Sequence, residues 1–350
     1  MKVTVIPGKS LTSEYSLLWS SFQQANSQLS SPYFCPEFTS AVAAVRKDVW
    51  VGIIEEAGKV AGFFPFQRGK MQMGYPIGGH LCDYQGLVLK PGIDHLDAAE
   101  LIRACGLKGW KFDHLIASQL PFHPFHRIKT ESSVIDLSQG YNTYLIKQKA
   151  QSNWIQKVSR NIPKIEREVG PLRFEAHVPD TSLLRLLMRW KSNHYRRTGA
   201  SNDFKVEWIV RVVEQIHATK RENFAGMLSV LYMGDEVAAL HLGMRSRSVW
   251  HYWFPSYNQQ FHKYSPGLIL LLKMIESAQL LGLQTIDLGQ GDESYKLRVR
   301  NGTIPLAEGC VEISSLICAT VLTTQKLRRS TKKLSRIVSK ARSAFARVAK

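Results

Sequence analysis

The chain has 350 residues, 44% of them hydrophobic, and a formal net charge of +18. That length points to two domains, and the apolar content supports packed cores and excludes a disordered chain. Its five cysteines are scattered with no CxxC pair, which excludes a disulfide framework and a zinc site; they read as reduced cytosolic thiols, and no metal is expected.

The positive charge favours anionic partners. Much of it sits in one place, because no acidic residue follows Glu312 while ten Lys and Arg lie between Lys326 and Lys350. The first ten residues lack the apolar run of a secretory signal. The best apolar stretch, residues 268–283, is broken by Lys273 and Glu276 and is no membrane span. A cytoplasmic protein is expected.

Taken in order, residues 11–25 and 36–46 carry helical spacing. Residues 50–54 and 60–66 read as strands joined by a turn over residues 56–59. Residues 74–90 are rich in glycine and aromatics and set Asp83 and Tyr84 before an apolar run. A helix over 96–105, a strand over 112–117 and a short strand over 134–137 follow. Residues 152–168 predict a basic helix interrupted at Pro163. Residues 181–197 predict a stronger one, with Leu183, Leu184, Leu187 and Trp190 facing inward; its Arg196 and Arg197 suit the helix dipole. After a helix over 205–217, strands over 226–232 and 237–244 flank a turn, and 249–254 is a third strand.

A helix then starts at Ser265, Pro266 and Gly267, with Ser265 a fitting N-cap and Pro266 suited to the first helical position. Leu268, Leu271, Leu272 and Ile275 give it one apolar face, Gly282 stops it, and a strand over 285–288 runs into Gly289, Gln290, Gly291 and Asp292. A helix start opening on a cleft suits an anion. Both halves thus read hairpin, further strand, helix, Gly-Leu, strand, which predicts two related α/β units in tandem. The expected divisions are residues 1–145, 146–315 and a basic tail over 316–350.

The second half resembles the GNAT acyltransferases, in the CelD/BcsL-type branch of cellulose-biosynthesis-type acetyltransferases. The resemblance rests on Trp190 with Gly199, the hairpin over 228–243, Ser265-Pro266-Gly267 with Leu270, and Asp287-Leu288-Gly289 with Gly291, Tyr295 and Lys296. The first half matches more loosely through Gly62, Pro65, Asp83 and Tyr84. The tandem order is also similar to the FemAB-like transferases. The resemblance implies two GNAT-like units, each a twisted mixed sheet flanked by helices. It implies transfer of an acetyl or longer acyl group from acyl-CoA to an amine or hydroxyl acceptor, in polysaccharide or cell-envelope metabolism. In such folds the cofactor pyrophosphate lies on the helix start. Here that is Lys263, Tyr264, Ser265, Pro266, Gly267 and Leu268, where Gly267 alone replaces the usual glycine-rich loop.

Such transfer needs a polarised carbonyl, a base and a proton for the departing thiolate. The strand over 249–254 can supply the oxyanion donor, with Trp253 and Phe254 beside the donor. Asp292, Glu293 and His251 are candidate bases, and Tyr295 can protonate the thiolate. Lys296 can neutralise phosphate or fix Asp287. Asp83, Tyr84, Trp190 and Asp287 are candidate acceptor contacts. The structural alternatives are a satisfied core or face histidine at 251, which is the commoner role of a strand histidine, an Asp287–Lys296 pair and a simple turn at Asp83.

The apolar stripe through the basic tail reads as an amphipathic helix for an anionic membrane surface, at the inner face of the membrane. Two other readings remain: FemAB-like aminoacyl transfer from charged tRNA, the one case that brings in nucleic acid, and a non-catalytic scaffold at the membrane surface.

Overall fold

The computed structural model describes residues 2–93 and 95–313; the basic tail, with Cys318 and its apolar stripe, lies outside the described residues. The first half runs β1 (Lys2–Pro7), α1 (Ser13–Gln24), α2 (Pro36–Val45), β2 (Val49–Glu56), β3 (Lys59–Arg68), β4 (Met73–Tyr75), β5 (Val88–Leu89), α3 (Ala98–Ala104), β6 (Gly109–Ile116) and β7 (His126–Asp136). The second runs α4 (Tyr141–Gln151), α5 (Trp154–Glu168), β8 (Leu172–Glu175), α6 (Thr181–Thr198), α7 (Glu207–Ala218), β9 (Ala225–Met233), β10 (Glu236–Arg245), β11 (Val249–Tyr257), α8 (Pro266–Ala278), β12 (Thr285–Gln290), α9 (Ser294–Val299) and β13 (Gly302–Glu312). The fold is mixed α/β, as expected.

Among the described residues all thirteen strands belong to one sheet, in the order β1-β2-β3-β4-β6-β13-β7-β12-β11-β10-β9-β8, with β5 beside β3. Only two neighbouring pairs among these strands are parallel, β4 with β6 and β11 with β12. Each needs a crossover, and each crossover carries one helix, α3 or α8. Both helices stop in the same way. Gly106 and Gly282 take φ of 68° and 70°, and the next residues, Leu107 and Leu283, donate back to Ile102 and Ala278 at 3.0 and 2.9 Å. Those reversed bonds satisfy carbonyls a helix end leaves open, and glycine pays no Cβ penalty at such φ. The two leucines are buried.

The last strand of each half pairs with strands of the other. β7 lies against β12, and β13 is inserted between β6 and β7. The cores are shared in the same way. Trp19, Phe38 and Phe63 of the first half pack in one cluster with Val212, Ile216 and Met244 of the second.

Several local expectations change. Pro163 does not interrupt α5, which continues from Trp154 to Glu168 and buries Trp154, Ile155, Val158 and Ile165. That apolar face outweighs the one bond the proline removes. The strand expected over 134–137 is the 11-residue β7. Ser265 is not a side-chain cap: it takes a left-handed conformation, φ 59° and ψ 52°, and makes no capping bond through its hydroxyl. Tyr295 and Lys296 sit on the short helix α9. Leu183 and Trp190 are only half-buried, while Leu184, Leu187 and Met188 carry the inner face of α6.

Candidate active site

β11 and β12 pair only through Val249–Thr285, Trp250–Ile286 and His251–Asp287. Beyond that point they part. The gap becomes a cavity of about 510 Å³. Tyr252, Trp253 and Tyr257 line it from β11, and Ser265 to Leu268 from the start of α8. Leu288, Glu293, Tyr295 and Lys296 face it from the β12–α9 side, and Asp83 reaches it from the first half.

His251 is the last residue of β11 paired with β12 and is fully buried. Its Nε2 stands 3.0 Å from Asp83 Oδ2, and its Nδ1 is 3.8 Å from Asp287 Oδ1. Asp287 is buried too, and its Oδ1 accepts from Ser132 Oγ and the Gly289 N–H, each at 2.8 Å. The imidazole therefore lies between two carboxylates, of which only Asp83 lines the cavity. Burial raises the Asp83 carboxyl, but His251, with His114 and Lys296, outweighs it and holds the group below the usual carboxylate range. His114 adds a further link, 4.0 Å from Asp83 and 3.0 Å from Asp113.

Gly289 makes this arrangement possible. It takes φ of 74°, and a Cβ there would stand 2.9 Å from Asp83 Oδ2. The backbone of β12 thus passes close under the carboxylate. Lys296 is buried; its ammonium donates to the Gln290 carbonyl at 2.8 Å and pairs with Glu293 at 3.2 Å. Burial pushes the Tyr295 phenol up, with Glu293 adding to it, so the hydroxyl keeps its proton. His241 is driven well below its ordinary value by burial and is neutral. Its Nε2 accepts the Trp253 N–H at 3.2 Å, and its ring stacks on Tyr252.

The structure thus gathers Asp83, Trp253, Ser265, Pro266, Gly267, Leu268, Tyr295 and Lys296 around one cavity. His251 and Asp287 lie directly behind Asp83. Tyr84 is buried beside them, its phenol raised well above normal by burial and by Asp287. Asp292 is exposed on the β12–α9 loop and does not line the cavity. Lys263 and Tyr264 both meet Glu168, at 3.3 and 2.6 Å. Phe254 packs on Phe204 in the core under α6 and α7. Trp190 lines a neighbouring cavity. Lys191, His194, Ser132 and His114 join the site without a motif of their own; the signal for the first two is their place one and four residues after Trp190.

At the start of α8, Leu268 and Ile269 both donate to the Ser265 carbonyl. Pro266 has no N–H, so Gly267, which lines the cavity, carries the first N–H of the helix. The nearest atom to a Cβ at Gly267 would be Tyr257 Cδ1 at 3.8 Å, which leaves room for a ligand to approach the backbone. These features suit a phosphate group, with fewer donors than a glycine-rich loop offers. Among the described residues no group of His, Cys, Asp and Glu is arranged to hold a metal ion, and no helix is long and apolar enough to cross a membrane.

A parallel strand pair that parts over a helix start, with an antiparallel neighbour on either side, is the arrangement of a GNAT fold. Residues 152–297 match the acetyltransferase (GNAT) domain family. No curated protein matches the sequence. Among solved structures the chain is similar to FemX, at 10% identity, with 89% of this chain and 97% of that one covered and a TM-score of 0.57. It is similar to a conserved protein of unknown function from Bacteroides thetaiotaomicron, at 10% identity, 86% and 98% coverage and a TM-score of 0.57. It is also similar to L-PGS from Bacillus licheniformis, at 13% identity, 88% and 96% coverage and a TM-score of 0.52. At such identities the likeness is one of fold.

Proposed function

We propose that the protein is an acyltransferase that moves an acetyl or longer acyl group from acyl-CoA to an amine or hydroxyl. The observation that carries this is the cavity between β11 and β12, with the start of α8 on one side and the Asp83–His251 pair at its base. The thioester lies in the gap with its phosphates towards Gly267 and Lys296. The acceptor attacks the thioester carbonyl, and Asp83 takes its proton. The tetrahedral intermediate collapses, the C–S bond breaks, and Tyr295 supplies the proton to the thiolate. His251 holds Asp83 ionised, Asp287 lies against the other ring nitrogen of His251, and Ser132 holds Asp287 in place. The division near residue 145 into two GNAT-like units, each completed by the other's last strand, belongs to the same proposal. So does an acceptor from polysaccharide or cell-envelope metabolism, as in the CelD/BcsL type.

The experiment is calorimetric titration of the full chain with acetyl-CoA and free CoA, repeated with Gly267→Trp and Gly267→Ala. Micromolar binding kept in the alanine variant and lost in the tryptophan variant supports the donor site. No binding of either ligand to the wild-type chain removes the CoA reading.

The fold shared with FemX and L-PGS favours a second reading, transfer of an aminoacyl group from charged tRNA. A tRNA user copurifies with RNA and binds it with steep salt dependence; RNA-free protein that turns over acetyl-CoA ends that reading.

A further inference from the structure

Beside the cavity at Asp83 lies a second, of about 370 Å³, between the C-terminal turns of α6 and the end of β11. The two share Lys191, His194, Pro255, Ser256 and Tyr257 as a common wall. A group held in the second cavity therefore stands next to the first.

The second cavity adds Trp190, Arg197 and Gln259, and among the described residues no carboxylate lines it. Arg197 Nη1 donates to the neutral Gln259 side chain at 2.9 Å, and Nη2 lies 3.5 Å from His194 Nδ1. The two acids that act on Lys191 are engaged elsewhere. Asp203 meets His80 at 2.9 Å, and Glu293 meets Lys296 at 3.2 Å. Burial pulls the Lys191 ammonium down to about 8, against the pull of those acids, and Lys296 adds to the fall. His194 falls as well, through burial and then through Lys191 and Arg197. Two cations thus face one cavity without a carboxylate partner of their own. Taking a cation out of water is unfavourable unless an opposite charge meets it, and for the largely buried Lys191 an anionic ligand supplies that charge, with the exposed Arg197 beside it as a second donor. A guanidinium oriented by one neutral hydrogen bond still presents its remaining N–H groups to an oxyanion.

We infer that this cavity holds an anionic group of the acceptor, a phosphate or carboxylate, between Arg197 and Lys191, with the rest of the acceptor running past Trp190 towards Asp83. The inference rests on the transferase reading, which gives the neighbouring cavity to the donor. It narrows the acceptor to a small molecule that carries a negative charge a short distance from its nucleophilic amine or hydroxyl. The same oxyanion chemistry is present in the donor's own ribose phosphate, so the test separates the two sources.

The full chain is treated with N-hydroxysuccinimidyl acetate at pH 7.5, and acetylation of Lys191 is followed by peptide mass spectrometry against the exposed Lys149. Inorganic pyrophosphate is the probe, added at constant ionic strength to protein saturated with dephospho-CoA. Pyrophosphate is expected to slow acetylation of Lys191 and not of Lys149. Arg197→Gln, an exposed substitution, is expected to raise the half-protecting concentration by about tenfold or more, the loss of a charge-assisted contact. Absence of protection in the wild type, or equal protection in Arg197→Gln, overturns the inference. In the second arm CoA and dephospho-CoA are titrated into both proteins. Equal affinities across all four pairs assign the anion to the acceptor. A loss in Arg197→Gln confined to CoA assigns it to the donor and also overturns the inference. If neither CoA form binds the wild type while pyrophosphate still protects Lys191, the transferase reading falls and the anion site remains.

Discussion

Asp83 Oδ2 meets His251 Nε2 at 3.0 Å across the join between the two halves of the chain. The pair puts a solvent-facing carboxylate against a fully buried imidazole whose other face is turned to Asp287. If Asp83 is the base, Asp83→Asn keeps the shape and removes proton acceptance. Its kcat is expected to fall by about 10²- to 10⁴-fold with acetyl-CoA affinity unchanged. Single-turnover kinetics beside calorimetry checks this, and a variant with wild-type kcat removes Asp83 from the chemistry.

The same pair makes stability depend on pH. The Asp83 carboxyl is held below its unfolded value of about 3.9. Its contribution is therefore complete above that value and is lost as pH falls through the lower folded value. Urea midpoints measured between pH 6 and pH 3 should fall more steeply for the wild type than for Asp83→Asn. Parallel acid limbs would show that His251 does not hold the carboxylate ionised.

Gly289 and Gly58 have nearly the same φ, 74° and 75°, but different surroundings. A Cβ at Gly58 meets nothing within 4 Å, and at Gly289 it meets Asp83 Oδ2. Gly58→Ala should cost about 1 kcal/mol from backbone strain alone, and Gly289→Ala about 1–3 kcal/mol with a further loss of activity. Chemical denaturation gives both values, and equal costs would mean that Asp83 moves aside freely.

The inserted strand sets a fourth expectation. A chain ending at Asn301 loses β13 and leaves β6 and β7 without their shared neighbour. It should lose cooperative unfolding, whereas a chain ending at Ile313 should keep it. Thermal melts followed by circular dichroism compare the two. A sharp melt from the shorter chain would mean that each half closes without the exchange.

The hairpins and both Gly-Leu helix stops were legible because their signals are local. The turn over 56–59 needs two left-handed residues, and Ala57 and Gly58 supply them. β13 was not, since its partners lie more than 160 residues away and its sequence, GTIPLAEGCVE, alternates poorly. The left-handed Ser265 was hidden for the opposite reason: Ser before Pro reads locally as a cap, and packing of Tyr264 and α8 decides otherwise. At the site, the types of residue were visible and their pairing was not. Asp83 and His251 are linked by tertiary structure alone, and Arg197 reads as a partner of the helix dipole until the end of β11 is placed beside it.

The position of β13 has a bearing on how the protein is made. During synthesis β6 and β7 emerge long before residue 302, and their facing edges have no partner until the last strand arrives. At common elongation rates that interval is roughly ten seconds or more, long for an open strand edge in a crowded cell. β7 carries Arg127, Lys129 and Glu131 on exposed positions along that edge. Such charges discourage pairing with a stranger, so the nascent first half can wait for β13.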